Sequence, residues 1–257
     1  MWVRTGLVDY LKGAISIHQA VGDIAEITLC MSPDNVFSTM FDWCRSDLYS
    51  DKLDALFYTN PKQRYTLPQI RECLFEHFAA TSCVNVGSNV TGGLEVGASP
   101  YQYLFVPKQA IEQKLSERVA SVVSGDYDVI HARLILRDTL GKMHFDEKSK
   151  VDGDILQKAL RHIDEIIATA TRPLVLVTDS VELIDTAPQC LLRSGSIPIH
   201  SFNKAVTEQG AIDVLTDLRF IRSAKSVTCL SNLPWGSSGF SRVTSRVFGV
   251  EYKAIKL

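Results

Sequence analysis

Three short runs of this sequence combine residue types that bind anions and sugars. Ile130-His131-Ala132-Arg133 sets an imidazole and a guanidinium two positions apart. In an extended strand that spacing turns both side chains to one face and leaves Ile130 and Ala132 on the other. Arginine's planar fork of donors suits phosphate oxygens, although an arginine packed on a helix beside a satisfied histidine fits the same spacing. Thr178-Asp179-Ser180 follows the apolar run 174–177 and could bond a ribose or sugar hydroxyl. The same three residues make a good helix start before Val181. Gly236-Ser237-Ser238-Gly239 leads into Phe240, Ser241 and a helical pattern. Free backbone N–H groups at a helix start, with two hydroxyls and no bulky side chains, form an anion site. An ordinary capped helix is the plainer alternative. No Gly-Lys-Ser/Thr follows, and no Gly-x-Gly-x-x-Gly occurs anywhere, so an NAD site has no support.

Other charged positions carry less. Asp213 and Asp217 stand four residues apart and share a helix face, a pattern that usually marks a solvated surface. Arg137, Asp138, Lys142 and His144 fall in a polar stretch after the His-Ala-Arg run. His18 falls in an apolar stripe, where a core histidine is expected. The 257 residues carry a formal net charge of -2, which argues against nonspecific nucleic-acid binding. The six cysteines are scattered with no Cys-x-x-Cys pair, so neither a zinc cluster nor a redox motif is expected. Reduced thiols, a start without a signal-peptide layout and no apolar run of bilayer length point to a soluble, cytoplasmic protein.

Hydrophobic residues make up 46 % of the chain, enough for a substantial core. Short β-rich runs alternate with amphipathic stretches throughout. Strands are expected at 2–5, 24–31, 55–59 and 83–86, with helices from Leu7 to Val21, from Pro33, and over 67–79. The glycine-rich stretch 87–103 breaks the rhythm and reads as a loop or linker. A second series follows. Its helices are expected at 108–123, 153–170, 181–192 (bent at Pro188), 208–224 and 239–248. Its strands are expected at 127–134, 173–178, 197–200, 225–230 and 251–255. Strands separated by helices imply parallel pairing and a doubly wound sheet. The chain therefore reads as α/β with two Rossmann-like lobes, 1–103 and 104–257, and ligands beyond the carboxyl ends of the strands.

In order, the His-x-Arg strand end, Thr-Asp-Ser, Asp217-Leu218-x-x-Ile221-x-x-Ala224 and Ser238-Gly239-Phe240-Ser241 resemble the donor half of fucosyltransferases. The group spans protein O-fucosyltransferases, α1,2- and α1,6-fucosyltransferases and the nodulation enzyme. Gly6-Leu7-Val8-Asp9 is similar to its N-terminal glycine loop. The resemblance implies a GT-B-like fold with a cleft between lobes and an inverting, metal-independent glycosyltransferase. The donor would be a GDP-sugar, most often GDP-fucose, used as co-substrate with no other cofactor. The acceptor would be a glycan or another hydroxyl.

By the same resemblance Arg133 would hold the β-phosphate and His131 the ribose or guanine. Asp217 would accept from the guanine N–H groups. Ser237, Ser238, Gly239 and Phe240 would meet the phosphates, with Asp179 and Ser180 also on the donor. Gly6 and Asp9 would close over the diphosphate and sugar from the N-terminal lobe. Breaking the sugar–phosphate bond leaves charge on the β-phosphate, which arginine and fixed N–H donors can absorb. Inversion needs a base near the acceptor hydroxyl, with Asp9 first and Asp138 second. The family's His-x-Arg-x-Gly-Asp is here His-Ala-Arg-Leu-Ile-Leu-Arg-Asp, without the glycine. That departure motivates an alternative, a non-catalytic relative that binds nucleotide or glycan. A further alternative is an unrelated two-lobed protein that binds a small ligand.

Overall fold

The computed structural model describes residues 7–52, 54–57, 65–88, 100–134, 136–137, 143–144, 151–196, 207–234 and 236–257. The chain divides into two compact units, Met1–Gln109 and Ala110–Leu257. The expected strands at 2–5 and 197–200, Gly6, Asp138, Lys142 and most of the glycine-rich stretch lie outside the described residues.

In the first unit α1 (Leu7–Val21) and α2 (Leu67–Phe78) pack beside a parallel pair, β1 (Ala55–Phe57) and β2 (Val86–Ser88). Helix spacing lines Ile17, Ala20 and Val21 of α1 against Ile70 and Leu74 of α2, over Ala55 and Phe57. Thr66 and Gln69 close a reciprocal capping box at the start of α2.

Four expectations fail in this unit. Residues 24–31 form no strand. The Cys30 carbonyl accepts from the Tyr10 hydroxyl at 2.9 Å and that of Leu29 from the Arg45 amide at 3.0 Å, partners in a helix and a loop rather than a ladder. The helix expected after Pro33 is a single 3-10 turn, Val36–Thr39, capped by Asn35. The strand expected at 83–86 begins instead at Val86 and runs through Gly87, so the loop starts later. His18 is not a core residue. It is exposed, with Nδ1 3.0 Å from the Tyr101 hydroxyl.

The second unit holds β3 (Asp128–Arg133), β6 (Leu174–Thr178), β7 (Leu192–Arg193), β8 (Ser226–Ser231) and β9 (Glu251–Lys256) in one all-parallel sheet. Its strand order is β7-β6-β3-β8-β9. A two-residue antiparallel pair, β4 (Leu136–Arg137) and β5 (Met143–His144), lies between β3 and β6 in sequence. The helices are α3 (Gln109–Val122), α4 (Gly153–Thr169), α5 (Val181–Thr186), α6 (Glu208–Ser223) and α7 (Gly239–Phe248).

Strand alternation sorts the core into two layers. Ile130, Ala132, Leu174 and Leu176 pack with Ala159 and Ile163 of α4 and Leu183 of α5. Val129, Val175, Val177 and Val227 pack with Phe220 and Ile221 of α6 on the other face, with Val119 of α3 and Phe240 of α7 beside them. The expected α/β architecture with a doubly wound parallel sheet is present. The helix expected over 181–192 ends at Thr186, because Ala187 precedes Pro188 and turns extended at ψ 149°. Arg193 closes that end, donating to the carbonyls of Ile184, Ala187 and Leu191.

Candidate functional site

Chain order runs outward from β3 in both directions, through β6 and β7 on one side and β8 and β9 on the other. The crossover connections therefore diverge between β3 and β8, and the carboxyl ends of those two strands are where a sheet of this order places its ligands. Arg133 ends β3 and lies in register with Ser231, which ends β8. Beyond Ser231 the chain turns at Leu233–Gly236 (carbonyl to amide 2.9 Å, Gly236 at φ 75°) and enters α7.

His131 and Ser241 tie these two ends together. His131 Nδ1 lies 2.8 Å from the Ser241 hydroxyl, in the first turn of α7. Cys229 Sγ approaches the same nitrogen at 3.8 Å, and the Phe240 ring stacks obliquely at 5.8 Å. Only 5 % of His131 is exposed. Burial, helped by the Arg133 charge, lowers its pKa to about 3, so the imidazole is neutral in ordinary buffers.

Arg133 is held from β6. One carboxylate oxygen of Asp179 accepts from its guanidinium, and the other accepts from the Leu134 amide at 3.1 Å. Asp179 is thus turned back onto β3. Ser180 is fully buried and caps α5, accepting from the Leu183 amide at 3.1 Å and donating to Glu182 at 3.0 Å. Of the two uses open to Thr-Asp-Ser, capping belongs to Ser180, and Asp179 orients the arginine. Ser238 is the residue before α7 and its side chain makes no capping bond, which leaves the first amides of the helix without a side-chain acceptor. Ser237 and Ser238 are 6 % and 4 % exposed. Gly239 and Phe240 are partly exposed.

The acidic pair on α6 is not a solvated face. Asp213 is 2 % exposed and accepts from Arg118 of α3 at 2.9 Å and from Gln209 at 2.9 Å. Asp217 lies near the Ser194 and Ser196 hydroxyls just past β7, which favour its charged form, while its Oδ1 is buried with no hydrogen-bond partner. Burial raises its pKa to about 7, against the lowering effect of the two serines. In the first unit Asp9 stands in the opening turn of α1 and accepts from Lys12 at 3.0 Å.

Ser241, Cys229, Ser194, Ser196 and Arg118 were not legible as site residues. Each sits in an ordinary apolar or polar stretch and gains meaning only from its cross-chain neighbour. Ser241 directly follows the Gly-Ser-Ser-Gly-Phe run and was the nearest to a signal. Among the described residues no group of three or more His, Cys, Asp or Glu side chains converges as a metal set, and all six cysteines are free thiols. No described helix is long and apolar enough to cross a membrane.

No family model and no curated protein matches the sequence. Solved structures do match. The NodZ alpha-1,6-fucosyltransferase soaked with GDP-fucose superposes with a TM-score of 0.52 at 16 % identity, over 93 % of this chain and 87 % of that one. The same enzyme co-crystallized with GDP gives a TM-score of 0.53 at 16 % identity, over 92 % and 86 %. NodZ from Bradyrhizobium gives 0.52 at 15 % identity, over 92 % and 87 %. With its five-stranded parallel sheet, and across nine-tenths of its length, this chain has the fold of the NodZ fucosyltransferase.

Proposed function

We propose that the protein is an inverting, metal-independent glycosyltransferase that takes a GDP-sugar, GDP-fucose first, and transfers the sugar to a hydroxyl of a glycan or similar acceptor. The observation that carries this is the bond between His131 and Ser241, which fixes the start of α7 beside the end of β3. A guanidinium and a helix N-terminus thus lie at the carboxyl ends of adjacent strands. Together they supply preorganised positive potential for a leaving diphosphate. The uncapped amides at Ser238–Phe240 and the remaining donors of Arg133 are the groups assigned to the phosphates.

Asp217 is assigned to the base. Guanine offers two adjacent N–H donors, and a carboxylate accepts both. Its unpartnered Oδ1, with Ser194 and Ser196 nearby favouring the charged form, supports that assignment. A uracil or adenine cannot present the same pair, which favours GDP over UDP and ADP. Asp9 is the proposed base for the acceptor hydroxyl, with Asp138 the second candidate. Scattered free thiols suit a reducing, cytoplasmic setting.

A second reading has its own support. Asp179 already compensates the charge of Arg133, and a leaving phosphate needs uncompensated charge. A relative that binds the nucleotide without turning it over would tolerate this pair. The test is a thermal-shift and calorimetric panel of GDP, UDP and ADP, followed by GDP release from GDP-fucose. GDP at a hundredfold excess over Kd should stabilise the fold by about 2.7 kcal/mol, with UDP and ADP far weaker. Equal response to all three nucleotides would defeat both readings. Binding of GDP with no release from GDP-fucose in the presence of acceptor glycans would leave the non-catalytic one.

A further inference from the structure

The contact between β3 and α7 also sets the proton on the imidazole. We infer that Ser241 is a positioning residue whose hydroxyl donates to Nδ1 of His131, keeping the ring proton on Nε2 for donation to an oxygen of a bound nucleoside diphosphate. The ligand half of this statement rests on the function proposed above. The proton half rests on the structure alone.

Ser241 is fully buried, and its oxygen is 2.8 Å from Nδ1. A serine in the first turn of a helix ordinarily turns its hydroxyl to a nearby backbone group. This one reaches across 110 positions to another element. A neutral imidazole has one N–H and one lone pair, and which nitrogen carries the proton follows from the partner of the other.

The surroundings of Nδ1 are rich in donors. The Cys229 thiol lies 3.8 Å from it, and the Tyr252 hydroxyl is buried beside Cys229 and Ser241. Two X–H groups, the Ser241 hydroxyl and the Cys229 thiol, thus meet at one nitrogen, and an unprotonated Nδ1 can accept from both. A proton on Nδ1 would reverse the bond, make the Ser241 oxygen the acceptor and turn the serine's own proton and the thiol's away from the ring. The nearby Arg133 charge disfavours the doubly protonated ring. The Nε2–H form is the arrangement in which Nδ1 accepts from both neighbours.

The experiment is nitrogen NMR of the full chain, resolving the imidazole tautomer of His131 in wild type, Ser241→Ala and Ser241→Thr, with GDP affinity by calorimetry on the same samples. Wild type is expected as the Nε2–H form throughout pH 5–8. Ser241→Ala should mix the tautomers and weaken GDP roughly three- to tenfold, and Ser241→Thr, which keeps the hydroxyl, should restore both. A wild-type Nδ1–H ring would overturn the inference without recourse to any variant. So would a tautomer unmoved in Ser241→Ala. If the tautomer depends on Ser241 yet wild type binds no GDP, the proton assignment stands and the nucleotide reading is what fails.

Discussion

Asp179 grips Arg133 from the neighbouring strand, with one carboxylate oxygen on the guanidinium and the other on the Leu134 amide at 3.1 Å. The arginine is therefore placed by β6 even though β3 carries it. Fixing a long side chain before the ligand arrives lowers the ordering cost of binding.

Asp179→Asn should accordingly act twice. Loss of the charged bond is expected to lower stability by about 1–3 kcal/mol, read as a lower urea midpoint, and the released arginine should weaken GDP binding. Arg133→Ala should abolish GDP binding outright, and Arg133→Lys should not rescue it, because an ammonium lacks the planar fork. Full GDP affinity in Asp179→Asn would show that the arginine needs no such support.

Ser180 and Asp179 are adjacent but should separate cleanly in a mutant comparison. Ser180→Ala removes the cap of α5 and should cost about 1 kcal/mol. Its GDP affinity should match wild type, since the hydroxyl is buried and already engaged with Leu183 and Glu182. A large loss of GDP binding with unchanged stability would return Ser180 to the ligand site.

Asp217 ties both binding and stability to pH. Its folded pKa, raised to about 7 by burial, exceeds the unfolded value near 3.9. The folded state holds the extra proton between those limits, so this group's contribution is complete below pH 4 and is lost as pH rises through 7. Binding runs the opposite way, because guanine N–H groups need the ionised carboxylate. GDP affinity should fall as pH drops below 7, and Asp217→Asn should flatten that dependence and cost most of the GDP preference. Calorimetric titrations at pH 6 and pH 8 would read both effects.

His131 should contribute with the contrary sign. A folded pKa of about 3 lies below the unfolded 6.5. The unfolded chain takes the extra proton between those values, so stability is fully present above pH 6.5 and is lost as pH falls through that window. Its ring signals should not titrate between pH 5 and 8. A midpoint near 6.5 for His131 would mean that the ring is solvated.

Much of the second unit was legible because its signals are local. Each face of β3 follows from alternation, and so Ile130 and Ala132 entered one layer while His131 turned toward α7. α7 itself starts at Gly239 and ends at Phe248 as its composition predicts, with Gly249 at φ 69° supplying the left-handed stop. Where local signals competed, the outcome turned on packing and chain stiffness. Residues 24–31 have strand-like composition, but their carbonyls meet Tyr10 and Arg45 rather than another strand. Pro188 cut α5 short, and the strand that follows is two residues at Leu192 and Arg193.

The sequence by itself determined most strands and helices of the second unit, and that a guanidinium and a serine-lined helix start exist at all. These properties depend on periods of two and 3.6 residues and on caps within a few positions. Only the tertiary structure decided that Asp179 serves Arg133 and Ser180 serves α5. It likewise decided that Asp213 and Asp217 face inward and that Ser241 meets His131. Apart from the local cap of Ser180, these pairings join distant groups, Asp179 to Arg133 across 46 positions and Ser241 to His131 across 110, and their partners are chosen by sheet order and burial. No window of neighbouring residues carries that information.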